Sequence, residues 1–369
     1  MTGSTDGHSS SGLKCRAAIV GLGRIASLLE DDSRREKPCT HAGAIAANPG
    51  CVLAGGSDTS EERRSLFEKR WHVPVYEDAE EMIRALSPGI LVIATHPDSH
   101  YHYCRLAAAS RIPVVICEKP LADTLSSARK VAALCSKGLS GFRPVIITNH
   151  ERRYSLDYIK AKEILSGGKL GAILSVRAAL YIGSGKTEKP ARLLDLLWHD
   201  GTHLVDAIMF LTGLSLKHKK RLGAKLSSVT GTAWLEGELK KGVGDGGAGQ
   251  SSSVIIPYSP LPVLIEVGAG CDHLVFEIEF SCSKGRLRIG NGVFEVWESV
   301  ESPYAEKFRS LKQTTGTFSG PTGYFANMLA DAVNCYRSIE SGAGGRRPAS
   351  SAADGLAVIE YLSSVKRWR

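Results

Sequence analysis

Five apolar runs in the first 150 residues constrain this chain more than anything else in it: CRAAIVGLG (15–23), CVLAGGSD (51–58), GILVIATH (89–96), IPVVICE (112–118) and RPVIITNH (143–150). Each is short, lacks polar alternation and ends in strand-stopping residues, as strands covered on both faces do. Helix-length stretches separate them: His41 to Ala47 closed by Asn48-Pro49-Gly50, TSEERRSLFEKRW behind a Thr59 or Ser60 N-cap, SHYHYCRLAAASR, and DTLSSARKVAALCSKG ending on Gly138. Neighbouring parallel strands need a crossover, nearly always right-handed. Alternation at this length therefore predicts parallel βαβ units over residues 14–150.

Past residue 150 the pattern changes. A long helix, YSLDYIKAKEILSGG, precedes the strand ILSVRAALYIG, and a second helix, RLLDLLWHDGTHLVDAIMFLTG, ends at Gly213. SSVTGTAWLEGEL, PVLIEVGAG, LVFEIEFSCS, GRLRIGNG and VFEVWES then alternate apolar and polar residues between glycine turns, the pattern of an antiparallel sheet. Helices near 323–340 and 351–367 close the chain and are expected to be free to pack back on the first domain. At 369 residues the chain exceeds what one hydrophobic core usually serves. The reading is an α/β protein of two domains, 14–150 and 151–369. Residues 1–13 read as a disordered tail, and the glycine- and serine-rich stretch 242–253 as a mobile loop.

Composition removes several classes of function. No apolar run approaches the roughly 20 residues of a membrane helix, and MTGSTDGHSSSG has no apolar core of a signal peptide. Nine cysteines, scattered from Cys15 to Cys335 and odd in number, read as thiols in a reducing cytoplasm. The net charge of +8 is modest, and its densest run, KHKKR (217–221), reads as a solvated loop after a helix. Without interleaved aromatics it makes no case for nucleic acid.

The first run ends in Gly21-Leu22-Gly23-Arg24-Ile25-Ala26, the form G-x-G-x-x-A. The first glycine permits a tight turn, the second lets backbone approach a pyrophosphate, and Ala26 allows close helix–strand packing. A following helix would aim its N-terminal donors at the anion. Asp58, ending the next strand, can accept both ribose hydroxyls of an adenosine, which favours NAD. The Gly21–Asp58 spacing exceeds the usual roughly 20 to 30 residues and implies an insertion around residues 28–41. Arg63 and Arg64 stand close enough in sequence to reach a 2′-phosphate, which keeps NADP open. A plain helix cap is the structural alternative for Asp58.

Ligands of parallel sheets bind outside the carboxyl ends of the strands. Thr95-His96-Pro97, His100 and Glu118-Lys119-Pro120 fall there, with His96 and His100 expected at the nicotinamide end. His199 and His203, four apart in a predicted helix, share a face; Asp195 lies one turn earlier and Asp200 adjoins. H-x-x-x-H also suits zinc, but Asp200 would have to replace a glutamate and no third ligand presents itself, so no metal is expected. A histidine near neutral pKa, a lysine and a carboxylate suit removal of a hydroxyl proton while hydride leaves the same carbon.

GLGRIA, ATHPDSH, CEKPLAD, NHERRY, the GTH of DGTHLVD and SSAADGLAVIEYL together resemble the Gfo/Idh/MocA oxidoreductases over nearly all of residues 14–369. EKP after a strand is the most specific of these motifs. The resemblance implies a Rossmann domain joined to an α/β domain with an open, mostly antiparallel sheet, through which members assemble as homodimers or homotetramers. It implies that Lys119 contacts the nicotinamide ribose and substrate, that His203 is the catalytic histidine, and that Arg153 is the arginine of the domain crossover. One departure is His199, which stands where the family commonly has aspartate. Either Asp200 then partners His203, or His199 itself contacts substrate. The GGG that usually precedes this helix is also missing.

The expected cofactor set is Gly21, Gly23, Arg24, Ile25, Asp58, Thr95, His96, Pro97, His100, Glu118 and Lys119. Lys119, His203 and Asp200 are the expected catalytic residues, with Arg153 and His199 on the substrate. The expected function is a cytoplasmic NAD(P)-dependent oxidoreductase acting on a secondary hydroxyl or carbonyl of a sugar, polyol or related cyclic substrate. A non-catalytic nucleotide-binding sensor or scaffold, or an NAD-dependent lyase or glycosidase using transient oxidation, are the alternatives. Retention of both Lys119 and His203 favours the enzyme.

Overall fold

A computed structural model describes residues 14–183, 191–240, 254–257, 259–343 and 345–367; the expected tail and the expected mobile loop at 242–253 lie outside them. All five apolar runs form strands: β1 (Cys15–Val20), β2 (Cys51–Ser57), β4 (Ile90–Ile93), β5 (Val114–Cys117) and β6 (Val145–Thr148). A two-residue strand, β3 (Val75–Tyr76), completes a parallel sheet of order β3-β2-β1-β4-β5-β6. Its crossovers are α1 (His41–Ala47), α2 (Glu61–Trp71), α3 (Ala79–Leu86), α4 (His100–Ala109) and α5 (Leu125–Ser136). Side chains start several of them: Thr40, Ser60, Asp78 and Thr124 each accept a hydrogen bond from the N–H three residues on. The α3 helix, capped by Asp78, has no counterpart in the sequence reading.

The strands carry two cores because successive residues face opposite sides. Ala17, Ile19, Val92 and Ile116 pack on one face, while Ala18, Val20, Leu91 and Val115 pack on the other. Both faces are covered, hence the unbroken apolar runs.

The regular helix expected directly after the glycine motif does not form there. Ser27 and Leu28 donate to the Gly23 carbonyl, making one helical turn, and a 3-10 turn spans Leu28–Asp31. The Asp32 carboxylate then accepts from the Arg34 N–H and turns the chain away. The next helix, α1, begins only at His41, so residues 32–40 are the insertion inferred from the long spacing.

The second sheet is led by α6 (Leu156–Ser166) and β7 (Ile173–Ile182). After α7 (Leu193–His199) and α8 (Gly201–Thr212) come β8 (Ser215–Gly223), β9 (Gly231–Lys240), β10 (Leu261–Ala269), β11 (Val275–Cys282), β12 (Gly285–Gly290), β13 (Val293–Glu301) and β14 (Arg309–Thr315). The order is β14-β13-β12-β11-β7-β10-β9-β8, antiparallel except for the β7–β10 pair. Two expectations fail here. The long helix at 192–213 is two helices, because α7 ends at His199 and Asp200 is its C-cap. A side chain at Gly201 would lie 2.8 Å from Leu197, so glycine lets the chain pack closely as it restarts. The KHKKR run is no loop: it lies in β8, where Lys219 pairs with Glu238 at 3.1 Å on the neighbouring strand.

The closing helices join the two parts. α9 (Tyr324–Glu340) places Phe325, Met328 and Leu329 in a core of the first sheet. α10 (Ala352–Arg367) gives Ala352 and Ile359 to the other core of that sheet, and Val358, Tyr361 and Leu362 to the core under the second. No described helix is long and apolar enough to cross a membrane.

Candidate active site

The sheet order switches direction between β1 and β4, and the glycine motif sits at that point. Gly21 has φ +86°, and a side chain there would meet the Ala94 backbone at 2.8 Å. Gly23 differs: around its missing side chain only Arg63 Nη1 comes near, at 4.0 Å. Space is therefore left beside the Gly23 backbone, as a phosphate would need. Ala26 is fully buried, Ile25 half-buried and Arg24 exposed.

Asp58 follows β2 directly. One carboxylate oxygen accepts from the Leu22 N–H at 2.8 Å and the other from the Ser60 N–H at 2.9 Å. The carboxylate thus ties the glycine turn to the start of α2. Arg63 stands 3.5 Å away and half exposed. Arg64 turns back to the Asp58 and Thr59 carbonyls and to Glu77.

Next along the row of strand ends, Thr95 bonds Ser99 at 2.7 Å and His96 is exposed. His100 does not line the crevice. It is fully buried, with one ring nitrogen 3.1 Å from the Thr95 carbonyl and the other 3.1 Å from the Pro120 carbonyl. Its place at the start of α4, under that loop, makes it a brace between the β4 and β5 ends. Burial chiefly, against those bonds and the Glu118 charge, holds its pKa below the usual histidine value.

Glu118 is not an open ligand group either. Its buried carboxylate receives the His41 ring at 2.7 Å and the Asn149 amide at 2.6 Å. Burial works to raise its pKa, but these bonds and Lys119 hold it below the ordinary value. Asn149 and His41 had no signal in their local pattern. Their role emerges only when β6 is placed beside β5 and the first residue of α1 reaches the β5 end.

Lys119 does reach the crevice. Its ammonium donates to the His199 carbonyl at 2.9 Å, joining the end of β5 to the end of α7 across the two sheets. The break at Asp200 separates the histidines expected on one face. His199 is exposed and bonds Asp200 at 3.0 Å, whereas His203, in the first turn of α8, is buried. The His203 backbone N–H donates to the Asp200 carbonyl at 3.1 Å, but among the described residues no bond joins the Asp200 carboxylate to the His203 ring, and that carboxylate is the partner of His199; Asp195 pairs with Arg192 at 2.7 Å. Burial first, then the charges of Lys119 and Arg152, hold the His203 pKa well below the usual value. The helix N-terminus acts in the same direction. His203 is neutral near pH 7, as a proton acceptor must be.

Arg153, the expected substrate arginine, does not open to the crevice. Arg153 is buried, its Nε on both Asp206 oxygens at 3.0 and 2.9 Å and its Nη1 on the Ala349 carbonyl and Asp354. Every face of the guanidinium is used inside the protein. Its neighbour Arg152 turns the other way, stacking 3.8 Å over Phe276 and reaching Asn291 at 3.3 Å. Arg152 is the arginine whose charge is felt at both His203 and Asp200. No group of three or more ligating side chains gathers to hold a metal ion among the described residues.

Residues 15–139 match the model of the oxidoreductase family with an NAD-binding Rossmann fold, GFO_IDH_MocA. The chain is 30% identical over 156 residues to the uncharacterized oxidoreductase YhhX of Escherichia coli K12, covering 42% of this chain and 43% of that protein. It is 26% identical over 219 residues to an inositol 2-dehydrogenase of Salmonella typhimurium, covering 59% and 60%. These matches span about half the length of the curated relatives. The fold is shared with scyllo-inositol dehydrogenase from Lactobacillus casei, solved with NAD(H) and scyllo-inositol, at a TM-score of 0.67 and 17% identity over 95% of both chains. With its glycine turn, strand-end lysine and second sheet in this arrangement, the chain resembles the Gfo/Idh/MocA oxidoreductases, whose NAD-binding Rossmann model its residues 15–139 match.

Proposed function

We propose that this protein is an NAD(P)-dependent oxidoreductase that moves hydride between nicotinamide and a secondary hydroxyl or carbonyl of a sugar, polyol or related cyclic substrate. The observation that carries the reading is the contact of Lys119 with the α7–α8 junction, which puts an ammonium and the neutral His203 at one crevice between the sheets. Lys119 stabilises negative charge on the substrate oxygen and His203 takes its proton. Arg152 and His199 are the groups set to contact the remaining substrate hydroxyls. The names of the inositol-dehydrogenase relatives support this substrate class.

Gly21, Gly23, Asp58, the Thr95–Pro97 loop and Lys119 would hold the nucleotide, whose nicotinamide supplies the hydride acceptor. We read NAD as preferred, because the Asp58 carboxylate would face a 2′-phosphate with like charge. Arg63 beside it is the group through which NADP would be accepted. Assembly through the open face of the eight-stranded sheet, where Trp234 is 37% exposed, fits a homodimer or homotetramer. Dehydrogenase assays with NAD and NADP against inositols, free sugars, glucosides and nucleotide sugars test the reading. Nucleotide binding without reduction of either cofactor by any member of the panel would turn it toward a sensor.

A further inference from the structure

Lys119 carries the charge on which the proposed chemistry depends, yet the residue directly before it, Glu118, is a buried carboxylate that would draw the same ammonium to itself. The two stay apart because the carboxylate is already filled. Its Oε1 accepts from the His41 ring at 2.7 Å and from the Asn149 amide at 2.6 Å, and its Oε2 from the Lys119 backbone N–H at 3.3 Å. The Lys119 ammonium donates instead to the His199 carbonyl at 2.9 Å, across the crevice. That carbonyl also accepts from Thr202 at 2.9 Å, so the end of α7 keeps a partner when Lys119 leaves it.

The two side-chain donors to Oε1 differ in origin. Asn149 follows β6, and its N–H donates to the Cys117 carbonyl at 2.8 Å, so the parallel sheet itself places it beside Glu118. His41 is brought from outside the sheet as the first residue of α1. Its ring is 1% exposed and stands edge to face with Phe325 of α9, the centroids 5.1 Å apart. Both supports are tied down by the insertion at 32–40. Thr40 caps α1 and bonds the Glu30 carboxylate at 2.6 Å, while Glu36 accepts from the Thr322 and Gly323 N–H groups at 2.8 and 2.7 Å, where α9 begins.

We propose that His41 is the positioning residue of Lys119: by filling Glu118 Oε1 it leaves the lysine ammonium free to reach across the crevice to the end of α7. A buried carboxylate short of donors is costly and takes whatever cation adjoins it. Without the His41 donor, Oε1 keeps Asn149 alone. The adjoining cation is Lys119, whose ammonium then turns back from His199 to Glu118 and leaves the substrate oxygen without its charge.

The proposal rests on the oxidoreductase reading only for its kinetic consequence, so its first test needs no substrate. Crystal structures of the full-length wild type and of His41→Leu should show Lys119 Nζ on the His199 carbonyl in the first and on Glu118 in the second. NAD affinity in His41→Leu should fall no further than in Lys119→Ala, since the glycine turn and Asp58 are untouched. On a substrate found by the panel, His41→Leu should lower kcat about 10–100-fold with a smaller effect on KM, and His41→Gln, which returns an N–H donor, should recover most of that loss. Added to Lys119→Ala, His41→Leu should cost less than about twofold more, whereas a residue that merely holds the fold would add its full effect. His41→Asn, too short to reach Glu118, serves if the leucine variant does not fold. Lys119 unmoved in the variant crystal, native kcat in a folded His41→Leu protein, or losses that multiply with Lys119→Ala would overturn the proposal. Lys119 moved as expected, with no turnover by the wild type on any member of the panel, would count against the oxidoreductase reading alone.

Discussion

Arg153 gives the sharpest separation between a residue that holds the fold and one that meets the substrate. Replacing it with alanine removes four contacts: Asp206 through Nε and Nη2, the Ala349 carbonyl, and Asp354. Asp206 is 1% exposed and is left with the His150 ring alone beside it, whereas Asp354, 17% exposed, keeps Ser351 and Arg347, so the change strands one fully buried carboxylate. Breaking a buried pair from one side costs roughly 3–5 kcal/mol. At roughly 2 °C per kcal/mol for a chain of this size, thermal unfolding should fall by about 6–10 °C. The loss should depend on pH, with a sign that can be worked out. In the native protein the Asp206 pKa is held down at about 2; burial works to raise it, but the Arg153 charge and His150 prevail. With Arg153 gone burial prevails, the folded pKa rises above the unfolded one, and stability is lost as pH increases. The gap between Arg153→Ala and wild type should therefore narrow between pH 7 and about pH 4.5. Arg152→Ala should show the converse, a Tm change of about 2 °C or less with a raised KM or lowered kcat, because Arg152 bonds the part-exposed Glu151 and Asn291 and lies over the Phe276 and Tyr158 rings, with no buried carboxylate left behind. Differential scanning calorimetry across pH reads the first effect and steady-state kinetics the second. An Arg153→Ala protein that melts like wild type and loses only substrate affinity would refute the assignment.

Further outcomes are expected at the crevice. His203→Ala should lower kcat by about 10²–10⁴-fold while NAD binding stays near native, and Lys119→Ala should do likewise with some loss of cofactor affinity. The double variant should cost less than the product of the two, and near-native kcat in His203→Ala would move the base elsewhere. NAD(H) should bind more tightly than NADP(H), and Arg63→Ala should widen the difference; a fluorescence titration favouring NADP would instead promote Arg63 over Asp58. Turnover should survive dialysis against a chelator, and loss restored by zinc would reopen the metal reading of His199 and His203. Because folding depresses the pKa of both His100 and His203, the unfolded chain takes up protons first. Stability should fall as pH drops below about 6.5, visible as a lower Tm at pH 5.5 than at 7.5.

The distribution of correct and displaced readings along the chain has a physical cause. Buried parallel strands were legible because burial on both faces leaves almost no polar residue within them (Arg16, near the start of β1, is exposed), and a strand end is defined by where that run stops. Hence the placement of Gly21, Asp58 and Lys119 needed no tertiary knowledge. What periodicity could not supply was direction at a break. RLLDLLWHDGTHLVDAIMFLTG has unbroken helical periodicity, yet the chain restarts at Gly201, and that one junction separates His199 from His203 and gives Asp200 to the wrong histidine. Adjacent residues in a short 3-10 turn posed the same problem at Arg152 and Arg153, which sequence cannot tell apart because both are charged and consecutive. Only the buried Asp206 decides which guanidinium goes inward.

The polar groups beneath the crevice were the least legible, for a reason that also explains their value. His41, Asn149, His150 and Asp206 come from α1, the end of β6 and α8, and each sits beside residues of no distinctive pattern. Their meaning lies in pairings across 31 to 77 positions: Glu118 with His41 and with Asn149, and His150 with Asp206 between those extremes. A buried carboxylate such as Glu118 is tolerated only when such partners meet it. The long insertion that delays α1 is what delivers His41 to that position. The feature that blurred the cofactor motif in the sequence therefore also builds the floor under Lys119, and the two cannot be altered independently. Shortening residues 32–40 would loosen Glu118 before it touched the nucleotide, since Thr40 caps α1 and His41 begins it.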